Sequence, residues 1–178
     1  HRWLHGNESE VPKEDFRIPL GKSRLISEGH DVTIVSMSYM TVETIEAVKE
    51  LKKAGISCDH IDLRSVSPLD WDSIFDSVKK TGRLLAIDSA SRSFSVSSEI
   101  ISRVSINCFD FLKEAPKQLA LIDNPSPSSF GLTKHYYNRS TQVYNSVASL
   151  FNGKIQEISL DSEIHQHDVP GDWFKGPF

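Results

Sequence analysis

Ile56-Ser57-Cys58-Asp59-His60-Ile61-Asp62-Leu63-Arg64-Ser65-Val66-Ser67-Pro68-Leu69-Asp70 is the stretch from which the rest of the chain is read. Its first half reads as a buried strand that ends on the charged residues Asp62 and Arg64. From Asp70 the period changes to a helical one, with Trp71, Ile74, Phe75 and Val78 on a common face. Lys79 and Lys80 lie near the negative end of that helix and Gly82 follows it, so start and stop signals agree. Ligands of open α/β sheets meet the protein at the carboxyl ends of the strands, which makes Asp62, Arg64 and the loop up to Asp70 the first place to seek a function.

The same strand, loop, helix rhythm extends in both directions. Asp31 to Met37 is β-branched and nearly continuous in apolar content, as expected of a central strand covered on both faces. It leads into a helix that Thr41 is expected to cap, with Glu43 in its positive first turn, Val42, Ile45, Val48 and Leu51 as the inward stripe, and Gly55 at its end. Gly21 to Ile26 reads as an edge strand open to antiparallel pairing, with Pro19 placed where no ladder donor is needed, and Glu28-Gly29-His30 as a turn. Downstream come a short strand Leu84 to Ile87, a polar loop Asp88 to Ser93, and a helix marked by Val96, Ile100 and Val104. A last strand, Gln118 to Ile122, is broken by Asp123-Asn124-Pro125-Ser126-Pro127. The terminal helix carries Val143, Val147 and Leu150, with Ser140 as its cap and Gly153 as its close. Alternation of this kind forces right-handed crossovers, a mostly parallel sheet and helices on both faces. Residues 1–17 read as a linker, 18–153 as one domain, and 154–178 as an irregular tail ending in Trp173-Phe174-Lys175-Gly176-Pro177-Phe178. A first residue His1 in place of Met suggests a piece of something longer.

Bulk properties exclude several classes of partner. The net charge of -4 and the lack of a Lys/Arg block argue against nucleic acid and against an anionic membrane surface. No apolar run approaches the roughly 20 residues that span a bilayer. Cys58 and Cys108 each lie in an apolar stretch and no signal peptide precedes them, so reduced thiols in the cytoplasm are expected, and the Asn-x-Ser matches at Asn7 and Asn138 are taken as chance.

Several motifs suggest chemistry and are set aside on physical grounds. Gly21-Lys22-Ser23 looks like the end of a phosphate loop, but the glycine such a loop needs five positions earlier is Phe16. The turn Ser36 to Met40 lacks the glycines that let a dinucleotide pyrophosphate approach backbone. Cys58, His60 and Asp62 alternate and so share a strand face, yet a strand covered by helices leaves no open coordination position, and core residues with satisfied hydrogen bonds are expected. His165, His167 and Asp168 resemble a ligand trio without a framework to hold them. Asp62 and Arg64 are expected to leave the strand on opposite faces, each ordering the loop by pairing with backbone or another charge. Arg92 and His135 remain as candidate contacts for a partner or an anionic ligand.

Four segments in this order, Ile18-Pro19-Leu20-Gly21-Lys22-Ser23, Asp31-Val32-Thr33-Ile34-Val35, Ile61-Asp62-Leu63-Arg64-x-x-Ser67-Pro68-Leu69-Asp70 and Lys80-Thr81-Gly82-Arg83-Leu84, resemble the C-terminal domain of transketolase-like enzymes. The resemblance is strongest to the β subunit of thiamine-diphosphate-dependent 2-oxo acid dehydrogenases of the pyruvate type. It implies a three-layer α/β/α domain on a five-stranded mixed, mostly parallel sheet, with Asp62, Arg64, Pro68 and Asp70 as its structural motif. It also implies that thiamine diphosphate and its divalent metal bind in the full enzyme between domains other than this one, so that this chain holds neither cofactor and has no activity alone. The implied partners are subunits of the same enzyme and a dihydrolipoyl acyltransferase component, in the cytoplasm or, in a eukaryote, the mitochondrial matrix. Two alternatives stand beside this reading: a non-catalytic interaction or regulatory module on the same fold, and the C-terminal domain of another transketolase-type enzyme. Where the family has an acidic-rich or glycine-rich passage, this chain has Asp88-Ser89-Ala90-Ser91-Arg92-Ser93-Phe94-Ser95-Val96-Ser97-Ser98-Glu99-Ile100, a run whose lost glycines are expected to bar backbone with φ > 0.

Overall fold

Two central strands with almost no polar interruption require cover on both faces, and the sheet is built around them. The computed structural model describes Glu10 and residues 13–133 and 136–158. Its elements are β1 (Arg24–Ser27), β2 (Val32–Ser36), α1 (Tyr39–Lys53), β3 (Cys58–Asp62), α2 (Trp71–Thr81), β4 (Leu84–Ser91), α3 (Val96–Asn107), β5 (Lys117–Leu121), α4 (Phe130–Thr133) and α5 (Ser140–Ala148), with short 3-10 turns at Phe109–Phe111 and Ser149–Phe151. The five strands lie in the order β1-β3-β2-β4-β5. All neighbours are parallel except β1, which runs antiparallel to β3 with Arg24 opposite Asp62.

Successive residues of β2 and β4 point to opposite cores, so one run of apolar residues serves both. Val32, Ile34, Leu85 and Ile87 pack with Met40, Ala47 and Leu51 of α1 and Val143 and Val147 of α5. On the other face Val35, Leu84, Ala86 and Ile61 pack with Ile74 and Val78 of α2 and Ile100 and Val104 of α3. The expected three-layer α/β/α architecture on a five-stranded mixed sheet is therefore the observed one.

Local differences have physical causes. Helix α1 begins at Tyr39, with Ser38 at the N-cap position, where Thr41 had been expected to cap. Its inward face is Met40, Thr44, Ala47 and Leu51, while Val42, Ile45 and Val48 are half-buried. Because α1 starts at Tyr39, Glu43 falls beyond the first turn in which it was expected; it is buried, and its carboxylate accepts from Arg139 Nη1 at 3.3 Å and from Ser140 N at 2.9 Å. Ser140 is thus the first residue of α5, and Arg139 takes the N-cap position, its backbone N–H donating to Gln142 Oε1. Strand β4 continues to Ser91, through residues read from sequence as the start of a polar loop.

The segment before β1 is fixed by one carboxylate. Asp70, at the N-cap position of α2, accepts from Ser23 N (3.0 Å), Ser23 Oγ (3.1 Å) and Ser73 Oγ (2.9 Å), with Lys22 Nζ at 3.5 Å from its other oxygen. Burial by itself would raise this carboxyl's pKa; the donors from Ser23 and Ser73 and the charge of Lys22 outweigh it and hold the group below its ordinary value. Lys22 and Ser23, which mimic a phosphate loop in sequence, serve here to hold Asp70. A second buried carboxylate, Asp59, accepts from Gly29 N (3.1 Å) and Ser77 Oγ (2.6 Å) and pairs with Lys80 (2.8 Å).

Gly29 lies so close to the Ser57–Cys58 backbone that a Cβ there would overlap main-chain atoms of β3, which cannot move aside without breaking the sheet. A Gly29→Ala substitution is therefore expected to destabilise the fold by about 2 kcal/mol or more. Urea unfolding followed by circular dichroism checks this, and a midpoint equal to that of the unsubstituted chain would contradict it.

Candidate functional site

At the carboxyl ends of β2 and β3 the chain opens into a groove of about 550 Å³. Ser38, Thr41, Asp62 and Arg64 form its polar side, and Met37, Val42 and Val66 its apolar side. Two of these residues, Ser38 (φ 55°) and Arg64 (φ 52°), hold left-handed backbone conformations that non-glycine residues rarely adopt. The position matches the sequence expectation for Asp62 and Arg64, and the geometry corrects one part of it. Strand β3 ends at Asp62, and with Arg64 in its left-handed turn the two side chains come together, Arg64 Nε lying 3.9 Å from Asp62 Oδ2. They share one groove and do not diverge to opposite faces.

Behind the groove runs a chain of hydrogen bonds whose direction can be assigned by counting hydrogens. Thr41 Oγ1 donates to Asp62 Oδ1 at 3.1 Å. Its single hydroxyl hydrogen is thereby spent, so in the 3.0 Å contact with Ser36 Oγ it is Ser36 that donates. Ser36 has then no hydrogen left for His60, and the 2.7 Å contact requires His60 Nε2 to carry the proton. The chain thus runs His60 to Ser36 to Thr41 to Asp62. His60 Nδ1, the acceptor nitrogen of that tautomer, has no partner among the described residues. Burial lowers the His60 pKa to about 4, so the ring is neutral near neutral pH. These groups orient Asp62 and the first turn of α1 and are structural in action.

Cys58 and His60 are core residues as expected, but the hydrogen bonding expected of them is incomplete, since His60 Nδ1 is buried without a partner among the described residues. Both are buried and Cys58 is a free thiol. Burial, then the charges of Asp31 and Asp59, push the Cys58 thiol up to about 12, away from thiolate chemistry. Among the described residues no group of three or more His, Cys, Asp or Glu is placed to hold a metal ion.

The other sequence candidates lie apart from the groove. Pro68 faces Gly21, where a Cβ would come within 2.8 Å of its ring, and its carbonyl accepts from Ser65 Oγ at 3.0 Å. Asp70 is committed to Ser23 and Ser73 as described above. Arg92 is exposed, and it is its backbone that works: its N–H donates to Leu121 O at 2.8 Å and its carbonyl accepts from Ser98 Oγ at 2.7 Å and Gln118 Nε2 at 2.9 Å. In the same loop Phe94 takes φ 56° with its side chain fully in solvent, so the loss of the glycines did not bar positive φ as expected. His135, the His165–Asp168 trio and the aromatic tail lie outside the described residues. Ser36 and Ser38 were not singled out in sequence and Thr41 was read only as a helix cap, although polar residues at the end of an apolar strand and in the first turn after it were a signal open to reading.

Residues 21–143 match the family described as "Transketolase, C-terminal domain". Over 143 residues, 80% of this chain and 42% of the relative, the sequence is 35% identical to the β subunit of an acetoin:2,6-dichlorophenolindophenol oxidoreductase of Cupriavidus necator. Over 143 residues, 79% of this chain and 43% of the relative, it is 40% identical to the β subunit of the pyruvate dehydrogenase E1 component of Mycoplasma genitalium. The chain thus spans less than half the length of these curated relatives. Among solved structures, a split-gene transketolase described as an inactive β4 tetramer superposes with a TM-score of 0.68 at 25% identity, covering 83% of this chain and 47% of that one.

Neutral His60 makes stability depend on pH with a definite sign. Its folded pKa of about 4 lies below the ordinary 6.5, so between these values the unfolded chain binds the extra proton. This contribution is full above pH 6.5, declines as the pH falls towards 4 and levels off below, amounting at most to about 3 kcal/mol. Denaturation at a series of pH values checks it, and in a His60→Gln variant the slope attributable to this group should be gone. Thr41→Val, which keeps the shape but removes the link between Ser36 and Asp62, is expected to cost about 1–3 kcal/mol.

Proposed function

This chain belongs to the transketolase C-terminal domain family, and on that premise we propose that it is the C-terminal assembly domain of the β subunit of a 2-oxo acid dehydrogenase of the pyruvate dehydrogenase type. The observation that carries the reading is its identity to β subunits of pyruvate and acetoin enzymes over about four fifths of its length, 79–80%. In the full enzyme the reaction would be oxidative decarboxylation of a 2-oxo acid with acyl transfer to a lipoyl group, and this domain's part is to hold subunits together and to present a surface to the acyltransferase component. On this reading residues 18–153 are assigned to that domain, residues 1–17 to the linker and end of a preceding pyrimidine-binding domain, and 154–178 to an irregular tail.

Nothing among the described residues fits thiamine diphosphate and its divalent metal. The described residues offer no cluster of metal ligands, and the Lys22–Ser23 pair that mimics a phosphate loop is turned to Asp70. On this reading the cofactor belongs to the remainder of the enzyme, and this chain alone is expected to be inactive. Arg92 and the solvent-exposed Phe94 beside it are assigned to contacts with a partner subunit. Two free, buried cysteines agree with a reducing compartment, the cytoplasm or the mitochondrial matrix. No described helix is long and apolar enough to cross a membrane.

Co-expression of this chain with the α subunit and the amino-terminal portion of the β subunit from the same genome tests the reading. A complex that survives size exclusion and regains 2-oxo acid decarboxylation on addition of thiamine diphosphate and magnesium is expected. A chain that stays monomeric in every combination, or one that by itself binds thiamine diphosphate with micromolar affinity in calorimetry, would refute it.

A further inference from the structure

The groove at the ends of β2 and β3 carries an ion pair that is not closed. Arg64 Nε and Asp62 Oδ2 stand 3.9 Å apart, beyond the roughly 2.7–3.2 Å of an N–H···O hydrogen bond. Among the described residues no hydrogen bond is made by the Arg64 guanidinium, and Asp62 receives only the one from Thr41 on its Oδ1. Both side chains are partly open to the groove, 31% and 21% exposed. Two opposite charges lie side by side with unused donors on one and an unused acceptor on the other.

A ligand for such a pair can be chosen by charge. A simple anion attracted by Arg64 meets the repulsion of Asp62, and a simple cation attracted by Asp62 meets that of Arg64. A molecule bearing an ammonium and a carboxylate on adjacent atoms meets neither, since it can lie antiparallel to the pair and complete both sets of hydrogen bonds. Met37, Val42 and Val66 supply an apolar wall beside these charges, and the volume of about 550 Å³ lies within the range of small-molecule pockets. We propose that this groove binds an aliphatic α-amino acid as its zwitterion, with the carboxylate on Arg64, the ammonium on Asp62 and the side chain against Met37, Val42 and Val66. Left-handed backbone at both Ser38 and Arg64, on the two sides of the opening, agrees with a site kept in a strained form, as ligand clamps often are. The hydrogen bond from Thr41, backed by Ser36 and His60, holds Asp62 in place for the ammonium. The site rests on the groove alone and does not depend on the assembly reading above.

L-leucine and two analogues that each lack one charge, isocaproate and isoamylamine, make the test, titrated against the whole chain with calorimetry and ligand-observed NMR. Saturable binding of leucine is expected, with each analogue weaker by roughly tenfold or more, the difference that 1.4 kcal/mol represents. Arg64→Gln and Asp62→Asn should each abolish preference for the zwitterion. Should either fail to fold by circular dichroism, Val66→Trp, at an exposed position on the groove wall, should block leucine while leaving the fold intact. Absence of saturable leucine binding, equal binding of isocaproate or isoamylamine, or undiminished binding by a folded Arg64→Gln or Val66→Trp variant would overturn the proposal. None of these outcomes bears on whether the chain joins a complex, so the two readings fail independently.

Discussion

A carboxylate taken out of water must be given hydrogen bonds in return or lose its charge, and the amino-terminal half of this domain is organised around two acids that receive them. Asp70 gathers the backbone and side chain of Ser23, the hydroxyl of Ser73 and the ammonium of Lys22. It thereby ties the segment leading into β1 to the first turn of α2, and Gly21 seats against Pro68 as part of the same junction. Asp59 does the corresponding work one layer away, joining the Gly29 turn to Ser77 and Lys80 of α2. With both ends of β1 held in this way, an edge strand of only four residues stays paired to β3 through the register shift between Leu25 and Ser27. Two of the four segments that resemble the family in sequence, around Gly21 and around Pro68, are the two sides of this one junction.

Much of the fold was legible because burial on two faces leaves a plain mark. Val32 to Val35 and Leu84 to Ile87 are apolar at nearly every position, and only a strand between two helical layers uses such a run fully. Helix α1 was harder to read, since its bulkiest residues are not its innermost. Thr44 and Ala47 are small enough to let the helix approach the sheet, and this rotates Val42 and Val48 towards the flank. The buried charge of Glu43 was beyond sequence reasoning for a different reason. Its partner Arg139 is 96 residues away, and an acid near a helix start reads as a complement to the helix dipole until the distant cation is placed beside it.

The loop between β4 and α3 shows how a conformation can persist without the residue that usually provides it. Phe94 accepts a left-handed backbone, at some cost in strain, while its ring extends into water where nothing crowds it. The surrounding polar groups compensate. Gln118 reaches the Arg92 carbonyl and the hydroxyls of Ser95, Ser97 and Ser98, and Asp123 holds both the N–H and the hydroxyl of Ser93. Serine-rich composition was visible in the sequence, but the donor that organises it lies on β5 and is found only once the strands are paired.

The carboxyl edge of the sheet, where chemistry is usually sought in such folds, is here largely committed to structure. A hydrogen bond has one hydrogen, and once Thr41 gives its own to Asp62 the direction of every bond behind it is fixed back to the neutral ring of His60. A relay that can run in only one direction is poorly suited to passing a proton back and forth, and well suited to holding one carboxylate still. Under the proposed reading the reactive groups come from elsewhere in the enzyme. What this edge retains is an Asp62 held in place beside an Arg64 whose donors are unspent among the described residues, and such a pair can bind without having to react.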